Sequence, residues 1–208
     1  MPDIALFLAA SALLTVAPGP DIVYVLTRAI AQGSRAGVAA ALGFATGCIF
    51  HTLLAAVGIA ALIRSSGLAF DLVRYAGAAY LVWIGIQALR HRSSFSMADA
   101  TDTRTLGVIF RQSVAGNMLN PKVTLFFLAF LPQFVDAPAG HVGAQMALLG
   151  AIFMAQTVVI FGAVALFSGW LGAWIRAKPA IGRRLNVFAG ITFIALGVRV
   201  ALPDFAAK

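Results

Sequence analysis

The sequence contains no glutamate and a single cysteine, and only 11% of its 208 residues are charged. Soluble domains carry about 25% charged and about 45–50% apolar residues. Here 61% are Ala, Val, Ile, Leu, Met, Phe, Trp, Tyr or Cys, before the 20 glycines are counted. Too few charges remain to cover a soluble surface. That shortage excludes an ordinary globular enzyme, a disordered chain and a nucleic-acid binder. The lone Cys48 excludes an intrachain disulfide and a CxxC pair. With His91 and His141 in loops, the three histidines form no metal-ligand cluster. No GxSxG, HExxH, P-loop or GxGxxG stands in its required context, and no cofactor is implied. What fits is an all-α integral membrane protein in contact with lipid.

The formal charge of +8 comes from 15 Lys and Arg against seven Asp. The basic residues cluster in short gaps between apolar runs, as the positive-inside rule expects, so nucleic acid is not the partner. Six runs are long enough to consider as spans of about 20 residues. They cover about 4–27, 36–63, 74–89, 112–135, a stretch within 142–175, and 185–202. The third is marginal unless it begins nearer Leu68, with Asp71 and Arg74 at the interface. The first opens Met1-Pro2-Asp3 without a basic n-region and stays apolar past cleavage length. A retained helix is expected there rather than a cleaved signal peptide.

Gaps after the first, third and fifth runs carry ten basic residues: Arg28, Arg35, Arg90, Arg92, Arg104, Arg111, Arg176, Lys178, Arg183 and Arg184. Gaps after the second and fourth carry Arg64 and Arg74. Both termini are therefore expected outside. The polar stretch 91–105 reads as a cytoplasmic linker between two halves, 1–90 and 106–208.

The halves resemble one another. Tyr75-Ala76-Gly77 in the third run matches Phe188-Ala189-Gly190 in the sixth, and Ile84-Gly85-Ile86-Gln87 matches Leu196-Gly197-Val198-Arg199. Pro20-Asp21 and Pro121-Lys122 fall in matching places in the first and fourth runs. Two three-span repeats must enter the membrane in opposite senses, the construction of many secondary transporters.

Runs one and four are also interrupted. A proline inside a helix removes an N–H and clashes with the carbonyl four residues back, so Pro18 and Pro20 free the carbonyls of Leu14 and Val16. Asn120-Pro121 reads as N-cap and first helical residue of a restart, and Gly19-Pro20 reads the same way. Each break would put a helix N-terminus inside the membrane, followed by Asp21 in one case and Lys122 in the other. A harmless kink is the plainer reading of a membrane proline, and Asp21 could lie near the interface, with Arg28 seven residues on. Ala39, Gly43, Gly47 and His51 share one face of the second span, so His51 points into the bundle. It either carries protons or packs as a hydrogen-bonded histidine. Asn117, Gln156 and Thr157 complete the buried polar set.

Thr15-Val16-Ala17-Pro18-Gly19-Pro20-Asp21, His51-Thr52-Leu53-Leu54, and Gly116-Asn117-Met118-Leu119-Asn120-Pro121-Lys122 together resemble the lysine-exporter (LysE) superfamily, most closely its homoserine/threonine efflux (RhtB-type) branch. The resemblance covers nearly the whole chain. It implies proton-motive-force-driven export of amino acids across the bacterial inner membrane, with the substrate open. The candidate substrate site comprises Pro18, Gly19, Pro20, Asp21, Asn117, Asn120, Pro121 and Lys122, and the candidate proton-coupling groups are Asp21 and His51. Asp21 and Lys122 are expected to face one another across a central cavity. An inorganic-ion exporter or channel of the same superfamily is the alternative, and a scaffold or intramembrane enzyme a third class. Homo-oligomerisation stays open.

Overall fold

The computed structural model describes residues 4–59, 61, 67–90, 103–136, 138–177 and 180–202. Among these every regular element is helical. Helix α1 (Ile4–Val16) is followed by α2 (Pro20–Gln32), α3 (Ser34–Leu53) and α4 (Gly67–Arg90). The second half contributes α5 (Leu106–Met118), α6 (Pro121–Leu125), α7 (Val142–Leu166), α8 (Ser168–Ala177) and α9 (Ala180–Ala201). Helix α3 widens into a π-helical turn over Leu54–Ile59. Helix α6 continues through a π-helical turn, Phe126–Phe130, and a 3₁₀ turn, Leu131–Phe134.

Four helical segments are long and apolar enough to cross a membrane. The pairs α1–α2 and α5–α6 pass the same test together but bend by 58° and 48° at their breaks, giving up to six spans if each pair counts as one. The bends sit where the prolines are. Ala17 N still bonds Leu13 O at 2.9 Å, and Pro18 then has no N–H with which to continue the ladder. The chain restarts with extended Gly19 as N-cap and Pro20 in the first turn.

The third run starts earlier than its apolar composition suggests. Helix α4 begins at Gly67, and Arg74 pairs with Asp71 at 3.4 Å inside it. A pair one turn apart lets a helix carry two charges that a hydropathy count treats as a boundary. Residues 91–102 of the expected linker, with Arg64 and Lys178 of the expected loops, lie outside the described residues. The described end of the linker is fastened to α2: Gln32 Nε2 donates to Arg104 O at 2.9 Å, and Arg104 N donates to Gln32 Oε1 at 3.3 Å.

Small residues set the helix crossings. A Cβ at Gly43 would lie 2.4 Å from Phe110 O, and one at Gly47 would lie 2.6 Å from Asn117 Cβ. The glycine seam of α3 is therefore its contact with α5, and it holds the second break against α3. Helices α4 and α9 cross with each glycine facing the other's backbone: a Cβ at Gly85 would lie 2.7 Å from Gly190 O, and one at Gly190 would lie 2.8 Å from Gly85 O. The largest apolar cluster includes Phe7, Phe126, Phe127, Phe130, Phe134 and Phe153. It packs α1 and α7 around the segment that follows the second break.

Candidate functional site

Asn120 does two jobs at the second break. Its side-chain oxygen accepts from Lys122 N at 3.0 Å, the N-cap expected of Asn-Pro at a helix start. Its side-chain nitrogen donates across to Asp21 Oδ1 at the first break. The two broken helices are thus joined through their restart points. Asp21 occupies the first turn of α2 and is buried at 4% exposure. It lies within the bundle, not at an exposed interface. Arg28 serves elsewhere, stacking over the Tyr24 ring at 5.3 Å and donating to Gln32 at 3.1 Å.

Lys122 is buried as well, at 8% exposure. Its ammonium donates to Leu14 O at 3.2 Å. That carbonyl is the one Pro18 frees in α1. Gly19 makes the approach possible, since a Cβ there would lie 3.0 Å from Lys122 Nζ. Asp21 and Lys122 do interact electrostatically. Yet each is hydrogen-bonded to a third group, Asn120 and the Leu14 carbonyl, rather than to the other. The arrangement satisfies both buried charges while leaving them separately available.

Both line one cavity, together with Leu14, Thr15, Asn117, Val123, Phe153, Thr157 and Phe161. Its volume is about 10 Å³, room for roughly a single water. One side is polar. The other is an α7 face of Phe153, Thr157 and Phe161 at four-residue spacing. The Thr15 and Thr157 hydroxyls donate back to Ser11 O and Phe153 O, each at 2.8 Å, so they have only acceptor capacity left to offer. Asn117 also lines it, with a buried Oδ1 that has no protein partner.

His51 lies apart from this lining. Its Nε2 is 3.0 Å from Asn117 O, and its ring contacts those of Phe50 and Phe127. Of the sequence-derived candidates, Asp21, Asn117 and Lys122 line the cavity. Gly19 and Asn120 contact those residues, while Pro18, Pro20 and Pro121 act through the backbone they interrupt. Thr157 was expected to be buried and the Leu14 carbonyl to be freed, but neither was placed in the site, and Phe153 and Phe161 were not singled out. Gln156 binds Ser11 Oγ at 3.1 Å and ties α7 to α1.

Residues 12–203 match the LysE type translocator family. The chain belongs to that family. A "Homoserine/homoserine lactone efflux protein" of Salmonella typhimurium is 33% identical over 195 residues, covering 94% of each chain. A "Leucine efflux protein" of Salmonella choleraesuis is 28% identical over 196 residues, covering 94% of this chain and 92% of its own. An "Uncharacterized membrane protein" of Vibrio cholerae is 34% identical over 196 residues, covering 94% of each. No solved structure matches. The family is one of membrane translocators.

Proposed function

We propose that this protein is a secondary transporter that exports neutral amino acids from the cytoplasm, driven by the proton motive force across a bacterial inner membrane. One observation carries the reading: a buried carboxylate and a buried ammonium, on two interrupted helices, line one cavity. An amino acid is a zwitterion with its two charges a few ångströms apart. Its carboxylate binds the Lys122 ammonium near the start of α6, and its ammonium binds Asp21 and the Asn117 side-chain oxygen. The helix dipole contributes about 0.3–2 kcal/mol. A hydrogen bond to a charged group is worth about 1.5–3 kcal/mol, so the two side chains dominate recognition. With both charges engaged by the α-substituents, Phe153, Thr157 and Phe161 are left for an uncharged side chain. The family likeness to homoserine and leucine efflux proteins supports that range.

The cavity must open to admit a substrate, and the breaks supply the means. When the substrate carboxylate takes the Lys122 ammonium, the Leu14 carbonyl loses its donor and the α1–α2 break is released to move. Asp21 couples this to protons: a proton on its carboxyl competes with the substrate ammonium. Protons entering from outside thereby favour release there.

The arrangement we infer is six spans in two inverted three-span repeats. The matched bends and the reciprocal Gly85–Gly190 crossing support it. Alkaline phosphatase fused within residues 93–100 should be inactive, since the basic linker faces the cytoplasm. High activity there would reverse the orientation.

The functional test is reconstitution into proteoliposomes with an imposed pH gradient and radiolabelled neutral and basic amino acids and inorganic ions. Gradient-dependent movement of neutral amino acids is expected. Ion movement with no amino-acid movement decides for the inorganic-ion alternative.

A further inference from the structure

Each half of the protein fills a carbonyl that proline frees in the other half. Lys122 fills Leu14 O, freed by Pro18. At the second break, Pro121 lacks the N–H that would reach Asn117 O. Asn120 N takes that oxygen at 2.9 Å, and His51 Nε2 adds a second contact at 3.0 Å. A carbonyl only accepts, so Nε2 carries the hydrogen of this bond.

We propose that His51 is a positioning residue of the substrate site: through the Asn117 carbonyl it fixes the turn that carries Asn117, Asn120 and Lys122. It does this as an N–H donor and needs no change of protonation. The inference rests on the reading of this cavity as the substrate site.

The surroundings of His51 are built for holding. The ring is fully buried, with centroids 5.3 Å from Phe50 and 5.7 Å from Phe127. One turn earlier, Gly47 receives the Asn117 side chain, where a Cβ would come 2.8 Å from its Oδ1. Helix α3 thus grips Asn117 twice, by side chain at Gly47 and by carbonyl at His51. Passing a proton onward would need a partner at the second ring nitrogen, and Nδ1 has none among the described residues. Of the groups around the site, Asp21 of α2 acts electrostatically on the ring. Lys122 of α6 is bonded to Leu14 O, α5 brings Asn117, α7 brings Phe153 and Thr157, and α3 itself carries buried Cys48.

The test compares His51→Gln with His51→Leu in reconstituted full-length protein. Glutamine puts an amide N–H near the position of Nε2 but does not titrate. Leucine fills the space without a donor. His51→Leu should lower the initial rate of neutral amino-acid transport by about tenfold or more, the scale of one lost bond to a buried acceptor. His51→Gln should stay within about threefold of the wild type, because that bond is kept, and should retain the wild-type pH profile. Thermal unfolding in detergent checks both variants, and the glutamine arm decides even if the leucine variant does not fold. Loss of transport in a folded His51→Gln, or a flattened pH profile, overturns the proposal in favour of a proton carrier. Wild-type rates in His51→Leu overturn it as well. A wild-type protein that moves no amino acid fails the functional reading itself, a result separate from either variant.

Discussion

Lys122→Met should insert and fold normally yet lose amino-acid export by about tenfold to a hundredfold, the equivalent of one charge-assisted hydrogen bond. Methionine keeps most of the lysine stem and removes a buried charge whose desolvation opposes folding. The donor lost to Leu14 O and the charge lost beside Asp21 work against that relief, so a thermal unfolding curve is read alongside transport. Function changes because two contacts of the ammonium go together. One is its bond to Leu14 O, which holds the first break, and the other is the bond the substrate carboxylate would take over. Lys122→Arg should not rescue fully. The ammonium already sits where a Cβ at Gly19 would come within 3.0 Å of it, and a planar guanidinium is larger. The measurements are initial efflux rates paired with a thermal unfolding curve. Undiminished efflux from Lys122→Met would remove this residue from the site.

Asp21→Asn should separate movement from coupling. Asparagine still offers an oxygen to the Asn120 side-chain nitrogen, so the link between the breaks is kept. It neither gains a proton nor pairs with an ammonium by charge. Substrate accumulation driven by a pH gradient should fall by about tenfold or more, because a charge-assisted contact is lost. Exchange of labelled for unlabelled substrate, which needs no net proton movement, should persist at a raised half-saturating concentration. Gradient-driven accumulation equal to the wild type would mean that protons enter the cycle through another group.

The two breaks were legible because proline chemistry is local. Pro18, Pro20 and Pro121 remove donors wherever they stand, and Asn before Pro caps a restart without help from the rest of the fold. The direction of His51 was legible too, since Gly43, Gly47 and His51 fall on one helical face. Partners were not legible, because they depend on how helices cross. Lys122 had an evident partner in Asp21, with which it interacts electrostatically, but its hydrogen bond goes elsewhere. The crossing brings it instead to Leu14 O, freed by a proline more than a hundred residues earlier in the chain. The aromatic wall was hidden for a different reason. Phe153 and Phe161 are apolar residues in an apolar span, and only their contact with the cavity distinguishes them. Asp71 and Arg74 left the start of α4 between Arg74 and Leu68; the helix takes the earlier start, and their pairing makes two charges acceptable inside it.

On the proposed reading, the substrate site is a pair of breaks and not a pair of charges. An ion pair between Asp21 and Lys122 would satisfy both groups and give a substrate little to replace. In this structure each charge rests on a neutral partner, an amide and a carbonyl. A zwitterion, on that reading, would offer each a charged partner instead, and the exchange would strengthen both contacts. The freed carbonyl and the freed amide would then distinguish a substrate-occupied state from the one described here.

Competition in proteoliposomes tests that claim most directly. Counterflow of a transported neutral amino acid is measured against three unlabelled competitors: the same amino acid, its decarboxylated amine, and its deaminated acid. On the proposed reading Lys122 and Asp21 take the carboxylate and the ammonium together, so the parent compound should compete fully and each half-molecule weakly. The amine competing as well as the parent amino acid would mean that no carboxylate is read at Lys122, and would contradict the account.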